Sequence, residues 1–513
     1  MMRRLACIGV VALFALAVAL CIVGFGSGGS AEPSLRSFDA QVHSAICGLQ
    51  HLPVQDAGRV KPLASFARER LQEVSGKRSW SGLSPTLTVL SWALCPKMWS
   101  EKPIIKVEDA LVPELFAHNA SARATYISKA QLQRSLQARP AEATGGPSDR
   151  QKSRAWQRQR RRLMRFERLA SDMRLFARSG SEGWVSLSNE AGLEAIAAKG
   201  VLEELASSLE GLDEVLFADA AARVETIASS CGAGLWPPRW RLALELFYDR
   251  IRPLWVLALL YIVIAVTYIM GYLAGSERLP RWSSVAIMPV AALHIAAIVA
   301  RAEIARKVMA SNTYEYILVM TVIAAVAAIV LNLRSGEPAY GFLGSLLCGV
   351  GLAATLLSPV SGKITQLPPV LKSDWMTYHV GAAVLSYGVL YLAFGISVAF
   401  LLLSDKRQAA LRARLFTSNL ALIRLGFFLL ALGIITGAIW ADRAWGRYWG
   451  WDPKESWSLV TWCIYGVFLH LRLCLPAKRH RAVLVVVSIV GFVAVLFTFI
   501  GVNYILSGLH SYA

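Results

Sequence analysis

Charge is scarce in this chain. Of 513 residues only 17% are Asp, Glu, Lys or Arg, and the acids, 34 against 53 basic residues, are the scarcer kind. Some chemistries are missing outright. No Cys-x-x-Cys occurs, which excludes a thioredoxin-like redox pair and also a cytochrome carrying its own covalent haem on Cys-x-x-Cys-His. There is no Gly-x-x-x-x-Gly-Lys-Ser/Thr loop to cradle phosphates, so ATP hydrolysis by this chain alone is excluded. Of the eight cysteines, Cys7, Cys21, Cys348, Cys463 and Cys474 fall in or beside apolar runs and read as small buried apolar residues. Cys47, Cys95 and Cys231 fall elsewhere, leaving room for one disulfide and a spare thiol with the pairing unreadable.

What is abundant is apolar: 55% of the residues are hydrophobic. From about Leu254 onward they gather into runs long enough to cross hydrocarbon as helices, which takes roughly 20 residues each. The runs predict spans at 254–274, 283–300, 314–333, 340–358, 380–403, 421–441, 459–475 and 483–506. Backbone in lipid must satisfy its own hydrogen bonds, so the expectation is an all-α, polytopic membrane helix bundle. A ninth run, Leu5 to Gly24, follows Arg3 and Arg4 and reads as a signal anchor or a signal peptide ending near Ala31. The expected organisation is therefore 1–31 as leader or anchor, 32–252 as a mainly helical extracytoplasmic domain, and 253–513 as an eight-span core.

Orientation follows from short basic loops, which stay in the cytoplasm. Lys406, Arg407, Arg412 and Arg414 fill one, and Lys478, Arg479 and Arg481 another. Counting crossings, His379, the segment 445–457 and His510 all emerge on the outer face, and eight spans return 32–252 to the same side. In that outer domain, Pro53 to Pro62 reads as a turn-rich segment, and helices are expected over Ala64–Val74 and Ala191–Leu212. A Gly/Pro/Ser linker at 143–149 precedes a basic run: Arg150, Lys152, Arg154, Arg158, Arg160, Arg161, Arg162, Arg165 and Arg168. Such a run suits anionic headgroups or a ligand's carboxylates, but a solvated helix face accounts for it more simply. Nucleic-acid binding is excluded for a translocated domain.

The richest segment is Trp445-Gly446-Arg-Tyr-Trp449-Gly450-Trp451-Asp452-Pro-Lys-Glu-Ser-Trp457, with four tryptophans in thirteen residues between two apolar runs. One or two such rings anchor a membrane interface. This many, threaded with glycines, suggest a flat aromatic platform for a large planar ligand. His379 and His510 stand at the edges of other apolar runs, and a platform with paired histidines points to haem, whose iron takes imidazole. Asp452 and Glu455, three apart with Pro453 between them, also form a helix-start capping box. His470 and His294 lie inside apolar runs, His470 about 11 residues into its span, where an ionisable group is a functional candidate by default.

These residues carry a resemblance. Trp445 to Arg472 is similar to the "WWD" signature of haem-handling proteins, most closely the CcsA (ResC) type of cytochrome c biogenesis. Gly501-Val-Asn503 through Gly508-Leu-His510-Ser-Tyr512, Asp374-Trp375-Met-Thr-Tyr-His379 and Asn312-Thr-Tyr314-Glu315 match further stretches, so the resemblance covers about 254–513. It implies a subunit of a holocytochrome c synthase in the cytoplasmic (inner) membrane. Such a subunit carries haem b (protohaem) across the membrane, holds it at the tryptophan segment and presents it for thioether attachment to an apocytochrome c. By the same resemblance His379 and His510 would be outer axial ligands and His470 an intramembrane one. Trp445, Trp449, Trp451, Asp452, Gly446 and Gly450 would form the platform, with a CcsB (ResB) type membrane protein as partner. Two alternatives remain open at this point: a haem transporter or chaperone without attachment activity, and a membrane electron-carrying cytochrome.

Overall fold

The computed structural model describes residues 33–115, 125–137, 147–177, 183–232, 234–358, 360–367, 371–403, 408–474, 480–504 and 506. The leader run, the basic residues Lys406, Arg407, Lys478 and Arg479, and His510 lie outside the described residues. The chain divides into two compact units, one ending at Arg250 and the other running on from Ile251.

The first unit is mostly helical around a small sheet that the sequence reading did not anticipate. The segment read as turn-rich is a β-hairpin: β1 (Pro53–Asp56) pairs antiparallel with β2 (Arg59–Pro62), Asp56 opposite Arg59. Ala57 and Gly58 both sit at positive φ, 49° and 78°, the two-residue turn whose twist matches paired strands. A two-stranded ladder joins β3 (Ile105–Lys106) to β4 (Tyr126–Ile127), and β5 (Arg174–Ala177) and β6 (Trp184–Ser186) complete a four-stranded sheet of order β2-β1-β5-β6. The hairpin's charges are buried and paired, as burial demands. Lys61 Nζ reaches Asp56 and Glu69 at 2.7 and 2.6 Å, and Arg59 grips Glu245 through two bonds of 2.7 and 2.8 Å.

The helix expected at 64–74 forms over Leu63–Ser75, but the one expected at 191–212 is two, Glu190–Ala195 and Lys199–Gly211, broken where Ala197 turns to φ 53°. The supposed linker is helical from Pro147, and the basic run belongs to that helix, Pro147–Glu167. Its Ala155, Trp156, Gln159, Leu163 and Phe166 face the core while Arg158 and Arg162 pair with Glu108, the solvated-face reading of those arginines. Cys47, Cys95 and Cys231 are free thiols.

Among the described residues, the second unit is a multi-pass membrane bundle of eight helices long and apolar enough to cross a bilayer. The first to eighth spans are Pro253–Leu273, Arg278–Ala305, Thr313–Ser335, Ala339–Leu357, Asp374–Leu402, Ala409–Trp445, Pro453–Cys474 and Arg481–Gly501. Each expected apolar run has its helix, and several helices outlast their runs. The sixth, at 37 residues, is about 55 Å long against roughly 30 Å of hydrocarbon, so it carries its polar ends well past the bilayer. The fifth and sixth spans pack along much of their length through small residues, Gly426 against Leu390 and Gly433 against Ala383, as membrane helices do without a hydrophobic drive between them.

Candidate functional site

A cavity of about 550 Å³ opens among the third, fifth, sixth, seventh and eighth spans, within the roughly 300–1,000 Å³ typical of small-molecule sites. Its body is apolar, from Val380, Ala383, Leu430, Ile434 and Phe499. His379, Trp440, Tyr448, Trp449, Lys363, Lys454, Glu455 and Asn503 also line it.

His379 sits in the second turn of the fifth span. Its Nδ1 is 2.7 Å from the carbonyl oxygen of Gly433 on the sixth. A carbonyl only accepts, so Nδ1 carries the proton and Nε2 the lone pair, the tautomer a metal-ligating imidazole uses. Gly437, one turn on from Gly433, makes room for the ring: a Cβ there would fall 2.5 Å from Nδ1.

The tryptophan segment starts where the sixth span stops. Gly446, at φ 71°, caps that helix and returns its N–H to Asp442 at 2.7 Å. The seventh span then begins with the predicted capping box. Asp452 Oδ1 accepts from Lys454 N at 3.0 Å, and Glu455 Oε2 accepts from Asp452 N at 3.1 Å and from Gly450 N at 2.8 Å. Two N–H groups converge on one carboxylate because the residue between them, Trp451, is left-handed at φ 55°, an uncommon conformation for so bulky a residue.

That turn corrects the expected flat platform. Trp449 lines the cavity, but Trp451 stands perpendicular to it at 89° and is 71% exposed. Trp445 lies behind Trp440, edge-on at 4.7 Å, and Trp440, unremarked in the sequence, is the ring that reaches the cavity. Asp452 is buried in its cap and does not line the cavity, nor do Gly446 and Gly450.

His470 also departs from expectation. Because its helix begins at Pro453, it lies about 26 Å along a helix about 33 Å long, four residues from the last described one rather than mid-span. It is exposed on the helix surface, with Nδ1 2.8 Å from the Gly466 carbonyl. His294 is fully buried against Tyr261, 3.4 Å from the hydroxyl, and does not line the cavity.

Two features escaped the sequence. The eighth span ends in a π-helical turn, Phe497–Gly501, a local widening frequent at functional sites, which brings Thr498 and Phe499 into the cavity wall. The other is a buried charge cluster. Glu315, fully buried, takes Arg301 at 3.2 Å and Lys307 at 3.4 Å. Those cations reach on to the carbonyls of Lys363 (3.4 Å) and Thr365 (2.8 Å), fixing the 360–367 segment as a wall. Intramembrane Arg and Glu in a span pattern were the available signal.

The model of the cytochrome C assembly protein family matches residues 254–510, half of the chain. Protein NrfI of Wolinella succinogenes is 29% identical over 490 residues, covering 89% of this chain and 53% of that protein, so the likeness extends into the first unit. The cytochrome c biogenesis proteins CcsA of Chlamydomonas reinhardtii and of Gloeobacter violaceus are 37% and 34% identical over 181 and 222 residues; these cover 33% and 32% of this chain and 51% and 65% of theirs. The chain thus spans about half to two thirds of the length of these curated relatives. With the family model laid over all eight spans and the cavity between them, the chain belongs to the cytochrome C assembly protein family.

Proposed function

We propose that this chain serves cytochrome c maturation by holding haem b, its substrate, in the cavity beside His379 and presenting it to an apocytochrome c. One observation carries the reading: the motif stretches at 312–315, 374–379, 445–457 and 501–503, far apart in sequence, all contribute to the lining of one apolar cavity. The residues fit the substrate. His379 offers Nε2 to iron with its ring held by Gly433, Trp449 and Trp440 offer aromatic faces and edges to a porphyrin, and the apolar body excludes water. His510 would supply the second outer ligand. His470, exposed on the seventh span, would ligate haem in transit with a second histidine from a CcsB-type partner packed on that face.

Attachment adds each cysteine S–H across a haem vinyl C=C, forming the C–S bond with the proton going to the other vinyl carbon. The nucleophile belongs to the cytochrome, so this chain contributes orientation and desolvation, which supply large rate effects by themselves. The first unit, the cavity and the tryptophan segment belong on the periplasmic side of the inner membrane, following the basic loops. A reporter active only outside the cytoplasm should therefore work when fused at Ser361 or Lys454 and fail at Gln408.

The test is a pair of variants, His379→Ala and His510→Ala, in the full chain with a CcsB-type partner and a Cys-x-x-Cys-His reporter cytochrome. Each should lose haem absorbance and stop maturation, and added imidazole should restore part of both through the vacated iron position. Full haem content and normal maturation in the double variant would overturn the reading.

A further inference from the structure

The last helix of the first unit, Arg239–Ile251, has two faces of opposite character. At 3.6 residues per turn, Leu242, Glu245 and Asp249 fall within about 60° of one another. That face packs on the first unit. Leu242 is buried, Arg59 grips Glu245 through two bonds of 2.7 and 2.8 Å, and Asp249 accepts from Arg68 and Ser65, both at 2.8 Å. Trp240, Phe247 and Ile251 fall within about 40° of one another on the opposite side. They are 54%, 61% and 42% exposed. The grip on the two acids fixes the helix about its axis, so the apolar face cannot turn inward without stripping buried charges of their partners.

Three observations say what covers that face. The first is its place in the chain: only Arg252 separates Ile251 from Pro253, where the first span begins. That span has 21 residues, about 32 Å against roughly 30 Å of hydrocarbon, so Pro253 stands at the membrane's edge and tethers the preceding helix there. The second is length. At 13 residues, about 20 Å, the helix is too short to cross and can meet a bilayer only along its surface. The third is charge. Arg239, Arg241, Arg250 and Arg252 accompany the apolar side chains, whereas the acids of 239–252, Glu245 and Asp249, are both on the packed face. Arg241 lies over the Trp240 ring, 5.3 Å from its centre. An aromatic and aliphatic face accompanied by arginines is the pattern of a helix lying in the headgroup layer.

We infer that the Arg239–Ile251 helix lies flat in the bilayer surface, with Trp240, Phe247 and Ile251 at the boundary of the acyl chains and its arginines on anionic lipid headgroups. The inference rests on the membrane bundle of the second unit and is independent of the haem reading. A helix so placed holds the first unit against the membrane to which the chain already tethers it.

The experiment places a photoreactive p-benzoylphenylalanine at Trp240, at Phe247 or at Ser229, which is exposed on a different helix of the same unit, Glu214–Cys231. The full chain is reconstituted in vesicles of phosphatidylcholine with a minor share of phosphatidylglycerol, irradiated, and its adducts are identified by mass spectrometry. Positions 240 and 247 should carry lipid and position 229 none. Phosphatidylglycerol should be captured about fivefold above its share of the bilayer, the factor that a surface arginine supplies, and Arg239→Gln with Arg250→Gln should return capture to that share. No lipid at either 240 or 247 overturns the inference, as does crosslinking there to a second copy of the chain or to another protein. Lipid at 229 as abundant as at 247 overturns it too, because a chain that has lost its fold would react alike at all positions. Capture of the two lipids in the bilayer's own proportion overturns the assignment of the arginines to anionic headgroups.

Discussion

Replacing Gly437 with alanine tests whether the placement of one imidazole governs the site. Gly437 lies on the inner face of the sixth span, and an added methyl would sit 2.5 Å from His379 Nδ1 and 2.7 Å from Cε1. Ordinary contact begins near 3.4 Å, so the ring must retreat by about 0.9 Å. A shift of that size takes the 2.7 Å bond to Gly433 out of hydrogen-bonding range and frees the ring to turn. The lost bond costs about 1 kcal/mol, and alanine in a helix interior returns roughly as much, so global stability should barely change. Function should not be spared, since misplacing a reacting group by 1 Å can cost about 10²-fold. Gly433→Ala is the matched control: its methyl would meet Ala383 at 3.3 to 3.6 Å, a contact a small give can absorb, and the accepting carbonyl remains. Soret absorbance of the purified proteins, maturation of a reporter cytochrome and a thermal melt separate the outcomes. Gly437→Ala should melt like wild type yet hold little haem, while Gly433→Ala should keep it. Equal haem loss in both would show that helix packing, and not the imidazole, is what alanine disturbs. Wild-type haem content in Gly437→Ala would refute the placement argument outright.

Glu315→Gln should lower the thermal midpoint sharply, because removing one partner from a buried ion cluster leaves Arg301 and Lys307 uncompensated at a cost of about 3–5 kcal/mol; a midpoint within a degree of wild type would contradict the pairing. In the first unit, burial pushes the Cys95 thiol from 9.0 up to about 11. The folded state therefore holds that proton more tightly than the unfolded one, and this contribution to stability is complete below pH 9 and lost as pH rises through 11. Maleimide at pH 8 should accordingly label the half-exposed Cys47 and Cys231 in the native protein and reach Cys95 only after denaturation, with mass spectrometry as the readout.

The eight spans could be read from the chain because hydrocarbon imposes one demand along each of them, an unbroken apolar length with its hydrogen bonds satisfied inside. What overshot those readings was polar. The sixth helix runs on from Ala441 to Trp445 and back to Ala409 because nothing there breaks a helix until Gly446, and hydropathy ceases to report once a helix leaves the membrane. The capping box was readable for a similar reason: its groups are three residues apart, and local geometry alone closes it. The sheet of the first unit was not. Its β1–β5 contact joins Gln55 to Arg174, strands as short as two residues carry no alternation, and Ala57 at positive φ is a weaker sign than Asn-Gly.

The tryptophan segment shows why composition can report a concentration of aromatic surface and still misplace the rings. Four indoles in thirteen residues say that aromatic surface is concentrated there, but which indole faces the cavity depends on two backbone events that leave no compositional trace. One is the helix stop at Gly446, after which Trp445 falls behind Trp440. The other is the left-handed turn at Trp451, needed so that Gly450 and Asp452 can share the Glu455 carboxylate, which swings that indole out to 71% exposure. The segment therefore does two jobs with different residues. Asp452 and Glu455 build the start of the seventh span, and in doing so they set Trp449 and Lys454 against the cavity. Asn503 closes the same cavity from the far end of the chain, donating to Thr313 at 3.4 Å, 190 residues away in sequence. A loss of function at Asp452 would thus be transmitted through the cap to Trp449 and Lys454, and Asp452→Asn, which can still cap, is the substitution that keeps the two effects apart.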